Sequence, residues 1–421
     1  MRRLYSLLTH AVLPLLPLRL WWRGRREPGY RERIGERFGR YAGVPRPPGE
    51  VLWVHAVSLG ETRAAGPLIE RLARERPHAT ILLTHMTATG REAGRTLYGE
   101  RVVQAWLPYD VPFAVDAFLA HFAPRACLLM ETEVWPNLVA GCARRGIPVL
   151  LVNARLSARS LAGYRRFRAL TQPMFAALTG VAAQTEADAT RLREAGARDV
   201  AVTGNLKFDV AVPASATALA AALRARFGTA RPVFVAASTR DGEEALLLDA
   251  LARRPLPNNA LTVIVPRHPQ RFTAVGELLA ARGLRWVKRS SEEAVGREVG
   301  VVLGDSLGEL LAYYAAADVA FVGGSLLPLG GQNLIEPIAV GTPTLVGPHT
   351  FNFTEAANAA VAAGAAVRVA DADALAVEVA ALLDDAARRA RMREAALAFH
   401  AKHRGAAERL WEWLAPRLAG K

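Results

Sequence analysis

Two turns of the chain carry the letters SLGE, at Ser58–Glu61 and again about 250 residues further on at Ser306–Glu309. Each follows an apolar run and precedes a helical pattern, so each sets a carboxylate at the mouth of a strand-to-helix turn. A serine three residues before a glutamate is the spacing of a capping box, in which each side chain satisfies a free backbone N–H. The same carboxylate at a strand end can instead accept a proton from a reacting hydroxyl. Two features favour chemistry for the first copy. Gly60 lets a ligand or backbone come close, and a second acidic pair, Glu131 and Glu133, ends another apolar run in METEVWPN. Both readings of Glu61 stay open at this level, while Trp135 and Pro136 read as packing residues.

The second half offers groups suited to phosphate. GGSLLPLGGQNLIEP sets Gly323, Gly324, Gly330 and Gly331 between an apolar run and a helix starting near Asn333. Exposed N–H groups and a helix dipole there suit an anion. Glu336, just inside that helix, can accept hydrogen bonds from ribose hydroxyls. Arg267 and His268 in VPRHPQRF end a strand and suit a phosphate or a base, and Lys207 in GNLKFD lies near the expected hinge between the two halves. The G-x-G-x-x-G and P-loop patterns are absent, which argues against a dinucleotide oxidoreductase and an ATPase. The nine histidines are scattered, and Asp371 and Asp373 precede a helix, where capping accounts for them, so no metal site is expected. With only two cysteines, Cys127 and Cys142, a disulfide framework or thiolate metal site is excluded and a reducing compartment fits.

These groups need elements to position them. Short apolar, β-branched runs predict strands over 51–57, 79–85, 102–107, 126–131, 147–153 and 180–184, with amphipathic stretches such as 61–76 and 186–196 between them. Near-continuous apolar strands alternating with helices indicate a parallel sheet covered on both faces. The pattern pauses around Pro213–Pro232 and restarts with strands predicted over 233–237, 260–265, 285–288, 301–303, 318–322, 343–346 and 366–369. The expected organisation is an anchoring, basic segment over 1–49, a Rossmann-like domain over 50–212, a linker helix over 213–231, a second Rossmann-like domain with the phosphate-suited groups over 232–390, and a helical tail over 391–421. Ligands of doubly wound sheets bind beyond the carboxyl ends of the strands, where both SLGE turns fall, and a cleft between the domains is expected.

The chain has 421 residues, 51% of them hydrophobic, and a net charge of +14. Half of that surplus lies in residues 1–50, which hold eleven arginines and four glutamates. The arginines crowd beside an apolar segment rather than interleaving with aromatics over a folded face, which favours a membrane surface over nucleic acid. That segment, Leu4–Leu20, is broken by Pro14 and Pro17 and followed by Trp21, Trp22, Arg23, Arg25, Arg26, Arg31 and Arg33. No small-residue cleavage site precedes the arginines, so the segment reads as an anchor that barely spans or lies in the interface, with tryptophans at headgroup level. Dense positive charge on its C-terminal side keeps the body of the protein cytoplasmic.

LWVHAVSLGE, METEVWPNL, NARLSARS, TGNLKFD, VPRHPQRF, GDSLGEL, GG…GGQNLIEP and GPHTFNF together resemble the Kdo transferases of lipopolysaccharide synthesis, from the arginine-rich segment to about Phe353. The resemblance implies an inverting GT-B glycosyltransferase that moves 3-deoxy-D-manno-octulosonic acid (Kdo) from CMP-Kdo to a lipid A precursor of the lipid IVA type. It would work at the cytoplasmic face of an inner membrane without a cofactor. By similarity Glu61 is the general base, Glu131 and Lys207 assist the transition state, and Arg267, His268, Leu307, Gly308, Glu309, Asn333, Leu334, Ile335 and Glu336 form the CMP site. The sequence departs from that pattern at Arg240 and Gln332, each in place of a histidine, and at Pro328–Leu329, in place of a charged pair. Two rival readings follow from the residues: a GT-B transferase using a UDP-sugar on another membrane lipid, and a membrane-docked α/β protein that senses a nucleotide without turnover.

Overall fold

The computed structural model describes residues 1–421 apart from 26, 210–211, 258, 292 and 420–421, so Arg26 lies outside the described residues. The chain divides into two compact units, Met1–Asp209 with Gly405–Lys421, and Val210–Arg404. The first holds a seven-stranded sheet of β1 (Val51–His55), β2 (Thr80–His85), β3 (Val103–Trp106), β4 (Ala126–Met130), β5 (Val149–Ala154), β6 (Gly180–Ala183) and β7 (Val200–Val202), in the order β3-β2-β1-β4-β5-β6-β7. The second holds β8 (Val233–Thr239), β9 (Leu261–Pro266), β10 (Trp286–Lys288), β11 (Val301–Leu303), β12 (Val319–Val322), β13 (Thr344–Val346) and β14 (Ala366–Arg368), in the order β10-β11-β9-β8-β12-β13-β14. All their pairings are parallel.

The apolar runs are continuous because both faces of each sheet are buried. Trp53, Leu129 and Leu151 enter one core while their neighbours Leu52, Val54, Leu128 and Val152 enter the other. In the second sheet Val233, Val235 and Ala237 part from Phe234 and Ala236 in the same way. Alternation along a strand thus fills two layers of helix contact at once. The two doubly wound domains are those of the GT-B expectation. Only β7 was not predicted: it has three half-buried residues at the sheet edge, too few to show a period.

Three boundaries differ from those read in the sequence. Residues 1–49 are not separate from the first domain, since Tyr30, Glu36, Arg37, Tyr41 and Val44 are buried against it. The predicted linker over 213–231 is the helix Ala214–Phe227, whose Ala220, Leu223 and Phe227 belong to the second core. The predicted tail over 391–421 splits: Ala386–His403 stays with the second unit, whereas Ala406–Ala419 returns to the first, where Leu410, Leu414 and Leu418 pack with Leu52 and Leu128. Composition showed the apolar faces of these helices but not their partners. Cys127 and Cys142 are free and buried.

The helical stretch Arg2–Arg23 is long and apolar enough to cross a membrane by length and composition. Both its ends are tied to the first unit. Ser6 donates to Asn137 Oδ1 at 2.9 Å, and Leu20 is buried beside the segment where Arg31 donates to the Trp21 carbonyl. Its outer side exposes Leu7, Leu15, Leu18 and Trp22.

Candidate active site

In the first unit the strand order reverses between β1 and β4, and such switch points open a crevice beyond the carboxyl ends. Glu61 follows β1 and Glu131 follows β4, so the topology sets the two carboxylates on neighbouring strand ends. The serine half of the capping box is formed, while the glutamate reaches past the cap residue to the Val57 N–H. Ser58 caps the helix Leu59–Ala64 and accepts from the Glu61 N–H, while Glu61 Oε2 accepts from the Val57 N–H at 2.9 Å and Oε1 from the Ser58 hydroxyl at 3.0 Å. Each oxygen keeps a second lone pair, so capping does not use up the carboxylate. Burial, with the charges of Glu131 and Glu133 adding to it, overcomes these two hydrogen bonds and pushes Glu61 up to about 7. A carboxyl tuned there is poised to take a proton near neutral pH.

Glu131 has a different setting. Lys207 Nζ lies 2.8 Å from its Oε1 and Arg155 Nε 3.2 Å from its Oε2, so both oxygens face cations. Its backbone sits in the left-handed region at φ 58°, as does that of buried Asn153 at φ 50°. Neither residue is glycine, and strain of this kind gathers at functional sites. At Asn153 the β5–β6 register also shifts, a bulge that re-aims side chains at the sheet end. Asn153 Oδ1 accepts from the Leu206 N–H at 3.0 Å, which fixes the turn carrying Lys207. Glu133 is raised by its own burial, with the Glu131 charge adding.

In the second unit the residues form two groups. Arg267 Nε donates to Gln332 Oε1 at 3.2 Å, joining the turn after β9 to the loop after β12. Burial and the charges of Arg240, Arg267 and Arg271 hold the neighbouring His268 below its usual value. Asn333 Nδ2 donates to Glu336 Oε1 at 3.1 Å, and the charge of Glu336 helps burial raise Tyr314, with Arg267 opposing. The other group is the second SLGE turn. Glu309 meets Arg289 through both oxygens at 3.2 Å and accepts from Ser306 at 2.5 Å, and Ser306 also bonds the Tyr313 hydroxyl. The helix begins only after Glu309, at Leu310, so this copy is not a capping box. Leu307 is exposed, and Gly308 takes a left-handed turn at φ 79°.

Two expectations for the glycine-rich stretch are corrected. The Gly324 and Leu326 N–H groups donate to the fully buried Glu243 carboxylate at 2.6 and 3.0 Å. Gly323 and Gly331 donate to the carbonyls of Ala237 and Gly324, and Gly330 gives its carbonyl to the Asn352 N–H. A buried carboxylate demands such donors, so the anion cradled by this loop is the protein's own. Gly323 is needed because a Cβ there would sit 2.7 Å from the Ser238 carbonyl oxygen. The helix expected to start near Asn333 and offer its N-terminus to an anion is Ile335–Ala339, and its first N–H is taken by Asn333 Oδ1 at 3.1 Å. Leu334 and Ile335 have buried side chains, which leaves only their backbone to meet a ligand. Asp371 caps its helix by accepting from the Ala374 N–H, as expected.

Arg155, Asn153, Arg289 and Glu243 were not singled out in the sequence. Arg155 and Asn153 lie in NARLSARS, at the end of β5 beside β4, and that adjacency was the available signal. Arg289 and Glu243 gave none, since their partners are distant in the chain.

Residues 32–210 match the family described as 3-deoxy-D-manno-octulosonic-acid transferase (kdotransferase), and residues 259–399 match group 1 glycosyl transferases. The 3-deoxy-D-manno-octulosonic acid transferase of Bordetella pertussis is 48% identical, covering 98% of this chain and 99% of its own. The chain belongs to the Kdo transferase family. The Haemophilus influenzae transferase of the same name is 37% identical over 99% of both chains. This Kdo transferase also shares its fold with HepE of Anabaena, solved in complex with UDP, at a TM-score of 0.55 and 15% identity over 88% of this chain and all of the other. At its first switch point Glu61 is a carboxylate raised by burial.

Proposed function

We propose that this Kdo transferase takes Kdo from CMP-Kdo and places it, with inversion, on a hydroxyl of a lipid A precursor at the cytoplasmic face of an inner membrane. One observation carries the mechanism: Glu61 is pushed up to about 7 beside a Glu131 held between Lys207 and Arg155. The acceptor hydroxyl has a high pKa and loses its proton as it attacks, so a carboxylate in its ionised form near neutral pH serves as general base. Glu131, paired on both oxygens, is one of the causes that raise Glu61 and holds Lys207 at the site. CMP departs as a phosphate monoester, and fixed cations facing it stabilise that charge. Arg267, with Arg240 beside it, fills this role, and the proposal calls on no cofactor. The exposed apolar helix Arg2–Arg23 supports docking on a membrane, and its ties at both ends favour a helix lying in the interface over one that spans.

The test is turnover of CMP-Kdo with a lipid A precursor, read by mass spectrometry of the lipid. A mass gain of one or more Kdo residues is expected. Saturable binding of UDP but not CMP would turn the assignment to the UDP-sugar alternative. Binding of CMP-Kdo with no release of CMP would reduce the protein to a sensor.

A further inference from the structure

Beside the carboxylates of the first unit lies an apolar cavity of about 600 Å³, well within the size of small-ligand sites. Leu4 and Leu8 of the N-terminal helix form one wall, and Val134, Trp135, Phe167 and Met174 form much of the rest. Glu133 lines it, and the charge of Glu133 is one of the causes that raise Glu61. An adjoining cavity of about 740 Å³ shares Met1, Pro136, Leu170 and Met174 with it and carries exposed Arg2 and Arg3. An apolar chamber with a cationic neighbour suits an anionic amphiphile. Packing alone does not require it: Leu8 and Phe167 stay 59% and 60% exposed although they line a concave surface. Exposed apolar surface of this kind marks a binding site.

We infer that this cavity receives one fatty acyl chain of the acceptor lipid and so sets the distance of the acceptor hydroxyl from Glu61. The inference rests on the lipid-acceptor reading above and adds to it a residue-level subsite. The N-terminal helix then has two roles on two faces. Leu7, Leu15 and Leu18 meet the bilayer, while Leu4 and Leu8 help form the chamber. Chain length is read by how many methylenes the chamber covers, at roughly fourfold in affinity for each one buried.

The experiment compares Leu8→Asp and Phe167→Asp, on opposite walls, with Leu7→Asp, which is on the same helix but does not line the chamber. All three positions are exposed, so melting curves should match wild type. The full-length proteins are assayed in mixed micelles with an acylated lipid A precursor and with its fully deacylated form. KM for the acylated acceptor should rise tenfold or more in Leu8→Asp and Phe167→Asp, with kcat near wild type and the deacylated acceptor unaffected. A diazirine-tipped fatty acid should label Leu4–Leu8 and Phe167–Met174 peptides of the wild type, and the two chamber variants should lose that label. Equal KM losses in Leu7→Asp would mean bilayer anchoring alone and would overturn the inference, as would equal losses with the deacylated acceptor. If the wild type glycosylates neither acceptor, the lipid-acceptor reading fails. The labelling arm then decides the chamber separately: label that the chamber variants abolish upholds an acyl site, and label spread evenly among the variants rejects it.

Discussion

The two SLGE turns have the same letters and opposite electrostatics. At Ser58–Glu61 the serine caps a helix, the glutamate accepts from the Val57 N–H, and burial, with two other carboxylates adding, raises it to about 7. At Ser306–Glu309 the helix starts three residues later, and Arg289 meets the glutamate on both oxygens. A buried carboxylate among carboxylates is pushed up in pKa, whereas one clasped by a guanidinium is held as a fixed strut. Four identical residues therefore do not fix a role. What faces them does, and that is set by strands far away in sequence.

The largest effect expected from this contrast is at the reacting carboxylate. Glu61→Gln keeps the capping geometry, because glutamine is accepted at that position, but removes the proton acceptor. Steady-state kinetics should show a fall of about 10²–10⁴-fold with unchanged CMP affinity and no loss of thermal stability, while Glu309→Gln should leave kcat close to wild type. A Glu61→Gln enzyme that turns over normally would return Glu61 to its capping role and leave Glu131 as the acidic candidate. Next, Arg267→Ala should weaken CMP binding by about 1.5–3 kcal/mol, the range for hydrogen bonds to charged groups. Calorimetric titration should find acceptor affinity intact. Equal losses on both sides would make Arg267 a structural residue.

The pH profile sharpens the contrast further. The acid limb of kcat/KM should fall near 7, and Glu131→Gln should move it to lower pH, because the Glu131 charge is among the causes that raise Glu61. A limb that stays in place would remove Glu61 from the titration. The sign for stability is opposite to that of a salt-bridged acid. With its folded value above the ordinary 4.5, Glu61 binds its proton more tightly in the fold. Its contribution is then most favourable at low pH and is lost as pH rises towards 7. Urea titrations should show this slope in the wild type and its reduction in Glu61→Gln. Smallest of all, Ser58→Ala should cost about 1 kcal/mol as the loss of an N-cap, and Ser306→Ala, which caps nothing, clearly less. Seven of the eight tryptophans, all but Trp286, belong to the first unit, so fluorescence follows the melting of the turn at Ser58 directly.

Among the described residues thirteen of the fourteen strands were legible, because a buried parallel strand writes its apolar run directly into the sequence. The turns after them were legible as places where polar groups interrupt such runs. Pairings across the fold were not. Lys207 meets Glu131 over 76 residues and Arg271 meets Glu244 over 27, and nothing local in GNLKFD or VPRHPQRF names the partner. The glycine-rich stretch misled for a related reason. Its composition announces amides available to an anion, but Glu243, 81 residues before Gly324, supplies that anion from within. Glu61 could be read as a cap or as a base from spacing alone, and its geometry satisfies both. The family resemblance and the desolvation seen in three dimensions support the base of the proposal, and the kinetics of Glu61→Gln decide between the roles.

The return of Ala406–Ala419 to the first unit bears on how the protein is made. Its opening N–H groups at Gly405, Ala406 and Ala407 all donate to the Asp209 carboxylate, and Arg71 grips Glu408 with two hydrogen bonds. On the ribosome, the first unit is therefore synthesised with a slot beside Leu52 and Leu128 that its own residues up to Asp209 cannot fill. It must wait while Val210–Arg404 is translated, roughly 10–40 s at ordinary elongation rates. The turns of helix that close the first domain leave the exit tunnel only after the whole second unit, so a premature stop before Gly405 damages the half of the protein that was born first.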